Sequence, residues 1–73
     1  MLSVEFDGEL LAVSQRKYND KVYYVAQVFV GDSPDSISID DKFFNLPRGN
    51  YHFVASYNSA RKFMRITEVV AND

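Results

Sequence analysis

The chain has 73 residues, no cysteine, 47% hydrophobic and 25% charged side chains, and a formal net charge of −2. This describes one small domain over residues 1–73 with room for a single core, and without Cys it has no disulfide framework. A core of this size seldom supplies more than about 3–5 kcal/mol, and the lone His52 leaves no zinc ligand set, so no metal or other cofactor is expected and self-association as a homodimer becomes the expected source of added stability.

Hydrophobic periodicity along the chain is two rather than 3.6, which predicts an all-β fold. Leu2, Val4 and Phe6 alternate with Ser3 and Glu5; Asp7-Gly8 then reads as a bulge or turn, and Leu10 to Ser14 resumes as extended chain. Lys21 to Val30 is almost wholly β-branched or aromatic and predicts a long strand partly covered on both faces. Gly31-Asp32-Ser33-Pro34-Asp35 has the composition of a loop, and Ser36 to Ile39 alternates again. A short helical turn fits between Asp40 and Asn45. Leu46 to Asn50 forms a second turn, feeding a strand from Tyr51 to Tyr57. Asn58-Ser59-Ala60 closes a hairpin with the last strand, Lys62 to Val70, and residues 71–73 are expected to fray. Five strands and no long helix predict a small five-stranded antiparallel barrel, OB-like or SH3-like.

Strand parity sorts the side chains into core and surface. Tyr24, Ala26, Val28 and Val30 form an unbroken apolar row suited to the core, as do Tyr51, Phe53 and Ala55, with Phe6 beside them. Tyr23 and Val25 fall on the opposite row. In the last strand Met64, Ile66 and Val70 read as core, leaving Phe63, Arg65 and Thr67 outside.

A pI near 5.2 argues at first against a nucleic-acid partner, but the average hides a strong polarity. Ser14–Tyr24 and Tyr57–Arg65 together carry a net +5, so the other 53 residues carry −7. The cations are Arg16, Lys17 and Lys21 in the first segment and Arg61, Lys62 and Arg65 in the second; Tyr18, Tyr23, Tyr24, Tyr57 and Phe63 are interleaved with them. Hairpin tips are solvated and often charged whatever they do. An outward Tyr and an outward Phe beside six cations, however, are what a single-stranded nucleic acid requires: charge to follow the phosphates and flat rings on which bases stack. The acids Asp32, Asp35, Asp40 and Asp41 read as a solvated face that keeps nucleic acid at the basic end. The stretch Asp32 to Ile37 lacks the glycine and oxygen spacing of a calcium loop.

Nothing points to catalysis. His52 lies on a polar parity with no nucleophile motif near it, adjacent Asp40 and Asp41 would point to opposite faces of a strand, and three glycines form no phosphate loop. A small-molecule substrate is not expected. No apolar run approaches the ~18–20 residues of a membrane span, and Met1 to Glu5 lacks the basic start of a secretory signal, so a cytoplasmic location without membrane contact is expected.

Three segments resemble the small helix-destabilising, single-stranded DNA-binding proteins of filamentous phages. Ser3-Val4-Glu5-Phe6 is similar to that family's first strand. The basic hairpin ending Asp20-Lys21-Val22-Tyr23-Tyr24-Val25 resembles its DNA-binding wing, and Leu46-Pro47-Arg48-Gly49-Asn50-Tyr51 resembles the turn before its fourth strand. The resemblance implies an OB-type barrel acting as a homodimer that coats single strands cooperatively and largely without regard to sequence. It assigns the wing cations to Arg16, Lys17 and Lys21, the stacking ring to Tyr23 with Val25 beside it, and a second ring and cation to Phe63 and Arg65. The chain departs from the family in its short connection, Asn58 to Arg61, and in its acidity. The expected function is therefore non-catalytic binding of single-stranded DNA, with RNA left open, during phage or mobile-element replication. The nucleic-acid-binding residues expected are Arg16, Lys17, Tyr18, Lys21, Tyr23, Val25, Arg61, Lys62, Phe63 and Arg65. The alternatives are a protein-interaction module and an acidic DNA mimic.

Overall fold

A computed structural model describes residues 2–72. Five strands follow in chain order: β1 (Leu2–Tyr18), β2 (Lys21–Val30), β3 (Ser33–Ile39), β4 (Gly49–Asn58) and β5 (Phe63–Ala71), with one 3-10 turn, Asp41–Phe43, between β3 and β4. They close into a barrel in the order β1-β2-β3-β5-β4, the ring order of an OB-type fold.

The ring closes because β1 serves two neighbours. Its first half, Leu2–Leu10, pairs with β4, and its second half, from Glu9 to Tyr18, pairs with β2. The strand runs straight through Asp7-Gly8, where a break was expected. Gly8 marks a close approach instead: a Cβ there would stand 3.1 Å from the Phe29 carbonyl oxygen. The irregularity lies between Leu10 and Ala12, where a bulge leaves Leu11 without a partner on β2 and bends β1 from one neighbour to the other.

Four of the five pairings are antiparallel; the seam between β3 and β5 is parallel and short, Ser38 with Arg65 and Ile39 with Ile66. The expected small antiparallel, OB-like barrel is thus present, and the one parallel seam reflects the ring itself, since β3 and β5 meet only by a crossover through β4. The loop expected over residues 31–35 shrinks to a turn at Gly31-Asp32, and Pro34 lies within β3 opposite Phe29. Proline is tolerated there because β5 reaches only Ser38 and Ile39, so this part of β3 is a free edge. The last turn extends through Lys62. Ala71 and Asn72 do not fray, since Ala71 pairs with Tyr51 and the Asn72 N–H donates to the Asn50 carbonyl at 3.0 Å; Asp73 lies outside the described residues.

Leu10, Ala26, Val28, Ile37, Ile39, Tyr51, Phe53, Ala55 and Ile66 form the buried core. Phe53 is fully enclosed, with the Phe6 ring stacked at 5.2 Å and Tyr51 at 6.0 Å. The Tyr51 hydroxyl donates to the Pro47 carbonyl at 2.8 Å, which anchors the turn before β4. In β5 the expected parity fails beyond Ile66. Val54 pairs with Glu68 and the next residue, Ala55, with Ile66, so Thr67 is an extra residue; Val69 turns toward the core and Val70 is exposed.

Candidate nucleic-acid interface

The β1–β2 hairpin ends in Asn19 and Asp20, both at positive φ (50° and 62°), which forms a two-residue turn compatible with the twist of a hairpin. Across it Arg16 pairs with Tyr23, Lys17 with Val22 and Tyr18 with Lys21. Cross-strand partners share a face. Arg16, Tyr18, Lys21 and Tyr23 therefore lie on one side of this wing, and Lys17 lies on the other with Val22.

The strand register carries the wing's base to the other basic segment. Val25 pairs with Ser38, and Ser38 with Arg65, so one cross-strand row runs from β2 through β3 to β5. Tyr23 and Phe63 stand two residues before Val25 and Arg65 on the same parity. All this meets at a groove of about 500 Å³ lined by Val22, Tyr23, Tyr24, Ser38, Ile39, Asp41, Phe63 and Arg65. That volume lies within the ~300–1,000 Å³ typical of ligand sites.

Among the expected site residues, the groove brings together Tyr23, Phe63 and Arg65. Tyr23 is 41% and Phe63 47% exposed. Tyr57, another ring in the second basic segment, pairs with Leu2 and Met64 and is not among the groove-lining residues. Arg16, Lys17, Tyr18 and Lys21 lie further out on the wing, and Arg61 and Lys62 sit in the exposed β4–β5 turn, where the Asn58 carboxamide oxygen accepts the Ala60 and Arg61 N–H groups. None of these side chains lines the groove. Val25 was expected to be presented outward and is instead buried, at 9% exposure. β2 is flanked by both β1 and β3 at Val25, whereas Tyr23 lies past the end of β3 and has only β1 beside it.

The groove also holds residues that sequence reasoning placed elsewhere. Asp40 caps the 3-10 turn, its carboxylate accepting the Lys42 N–H at 3.2 Å, and its other oxygen meets Arg65 Nη2 at 3.6 Å. Hydrogen bonding, from the Lys42 N–H first and then the Asp41 side chain, holds the Asp40 carboxyl below the usual carboxylate range; desolvation opposes this, and the charges of Arg65 and Lys42 add to it. Asp41 lines the groove itself. The acids thus do not form one separate face: Asp32 and Asp35 sit at the start of β3, Asp40 and Asp41 follow its other end, and Asp41 lines the groove with the aromatic rings. Asp41 lies in the 3-10 turn rather than in a strand, so the strand alternation that would send the two carboxyl groups to opposite faces does not apply here. Asp40, a favoured capping residue placed immediately before the short turn Asp41–Phe43, is the signal available for the cap.

A second polar cluster lies on the β1–β4 side. His52 Nδ1 is 2.9 Å from Asp7, its Nε2 is 3.0 Å from Glu5, and the Asn72 carboxamide N–H donates to Asp7 at 3.0 Å. Hydrogen bonds to Glu5 and Asp7 raise the His52 pKa. Among the described residues, no group of three or more acidic or histidine side chains is arranged to hold a metal ion, and no helix is long and apolar enough to cross a membrane. No protein-family model matches the chain, and no curated protein matches it either.

Proposed function

We propose that the chain binds single-stranded DNA without catalysing a reaction, in the cytoplasm, as a homodimer that covers strands exposed during phage or mobile-element replication. The observation that carries this reading is the groove: Tyr23, from one basic hairpin, and Phe63 and Arg65, from another forty residues away, line the same surface depression. Bases stack on the two rings while Arg65 within the groove and Arg16, Lys21, Arg61 and Lys62 beyond it neutralise phosphates. Lys17 contributes from the reverse side of the wing. The β2–β3 face and the hairpins beside it are the surfaces on which OB-type barrels commonly take oligonucleotides.

Tyrosine fluorescence is the natural probe, since the chain has five Tyr and no Trp. Titration with oligo-dT should change emission at low salt and much less at high salt; no change at either would refute the proposal. Tyr23→Ala should weaken binding by ~1–3 kcal/mol, the worth of one stacked base. A loss of only a few tenths would mean the ring is not a platform. Measurement of the mass in solution tests the dimer.

Asp41 on the groove wall favours one second reading, a module that docks a basic peptide. Such a module would leave oligo-dT unbound. A DNA mimic has less support, because its four acids are divided between the two ends of β3.

A further inference from the structure

The groove has a polar wall as well as two rings. Tyr23 and Phe63 would accept any base, because every base offers a flat face. Asp41 from the 3-10 turn, Ser38 from β3 and Arg65 from β5 line the same groove. Asp40 is already engaged with the Lys42 N–H and with Arg65, whereas Asp41 is exposed and takes part in none of the ion pairs among the described residues. A carboxylate at this position repels phosphates, so it weakens backbone binding. It becomes favourable only against hydrogen-bond donors, and in a stacked strand those belong to the base edges.

We infer that the groove favours bases with amino donors, guanine foremost, over thymine, and that Asp41 is the residue that reads them; this rests on the single-strand reading above. An ionised carboxylate only accepts hydrogen bonds. Guanine presents two adjacent donors, N1–H and the N2 amino group, that match the two carboxylate oxygens. Cytosine and adenine present one amino group each. Thymine presents carbonyl oxygens on both sides of a single N3–H, and these face the carboxylate with like partial charge. Arg65, drawn toward the same wall by Asp40, offsets part of the negative charge and can donate to a base carbonyl. The inferred preference is modest and overlies binding that otherwise tolerates any sequence.

The experiment compares the full chain with Asp41→Asn on short oligonucleotides of equal length: all-dT, alternating dT-dG, alternating dT-dC, and alternating dT-dI, in which inosine lacks only the guanine 2-amino group. Wild type should bind dT-dG at least about fivefold more tightly than all-dT, the low end of the ~1–3 kcal/mol of a bidentate base contact, and dT-dI should lose most of that gain. Asp41→Asn should bind all-dT more tightly than wild type and show almost no preference between the oligonucleotides. Equal binding of all four by wild type, or a preference that survives in Asp41→Asn, overturns the inference while leaving single-strand binding intact. Failure to bind any of the four overturns both.

Discussion

His52 shows how a single side chain can tie strand pairing to pH. Its two ring nitrogens face Asp7 at 2.9 Å and Glu5 at 3.0 Å, and both contacts are donated together only when the ring is doubly protonated. The raised His52 pKa means that the folded chain holds this proton more tightly than the unfolded chain does. Its stabilising contribution is therefore full below the ordinary histidine value of about 6.5 and is lost as pH rises through the raised folded value. Urea denaturation across this interval should show the wild-type midpoint falling with pH more steeply than that of His52→Gln. Parallel curves would show that the two carboxylates do not favour the charged ring. The sequence marked His52 correctly as a surface residue on a polar parity, but its partners lie 45 and 47 residues away, and only the β1–β4 register brings them together.

Elements were legible where periodicity and punctuation agreed. β2 and the turn before β4 were predicted closely, because β-branched and aromatic runs bounded by Gly, Pro and Asn leave few other readings. They were misread where one residue type serves two purposes or a feature has no marker. Gly8 reads from sequence as part of a bulge or turn, yet its missing Cβ lets β2 approach a continuous strand. The extra residue at Thr67 involves neither Gly nor Pro, so nothing announced the change of parity that exchanges Val69 for Val70. The wing is the element most open to improvement. Asn19 and Asp20 both adopt positive φ, a conformation that suits Asn-Gly better than Asn-Asp. Asp20→Gly should relieve backbone strain and stabilise the hairpin by roughly 0.5–1 kcal/mol. Slower amide exchange on the paired residues Arg16 to Tyr23 would report the gain directly; unchanged exchange would show that the turn is not strained.

At the scale of the whole molecule, the decisive feature was absent from local pattern. The parallel contact between β3 and β5 closes the ring and draws Phe63 and Arg65 to the foot of the wing, while the turn after β3 brings Asp40 and Asp41 there as well. The charge distribution along the sequence sets two basic segments apart from an acidic remainder; it does not show that Asp41 lines a groove with Tyr23 and Phe63, or that Asp40 pairs with Arg65. The same geometry divides the wing cations. Arg16 and Lys21 share a face with Tyr23, and Lys17 is paired with Val22 on the reverse. A strand stacked on Tyr23 should therefore run past Arg16 and Lys21. Each phosphate contact on a single strand contributes about 0.7 to the slope of log affinity against log salt. Arg16→Gln and Lys21→Gln should each reduce that slope by about this amount, whereas Lys17→Gln should change it much less. Equal reductions from all three would mean that the strand wraps both faces of the wing, and no reduction from any would place the phosphates along the β4–β5 turn, where Arg61 and Lys62 would then carry the salt dependence.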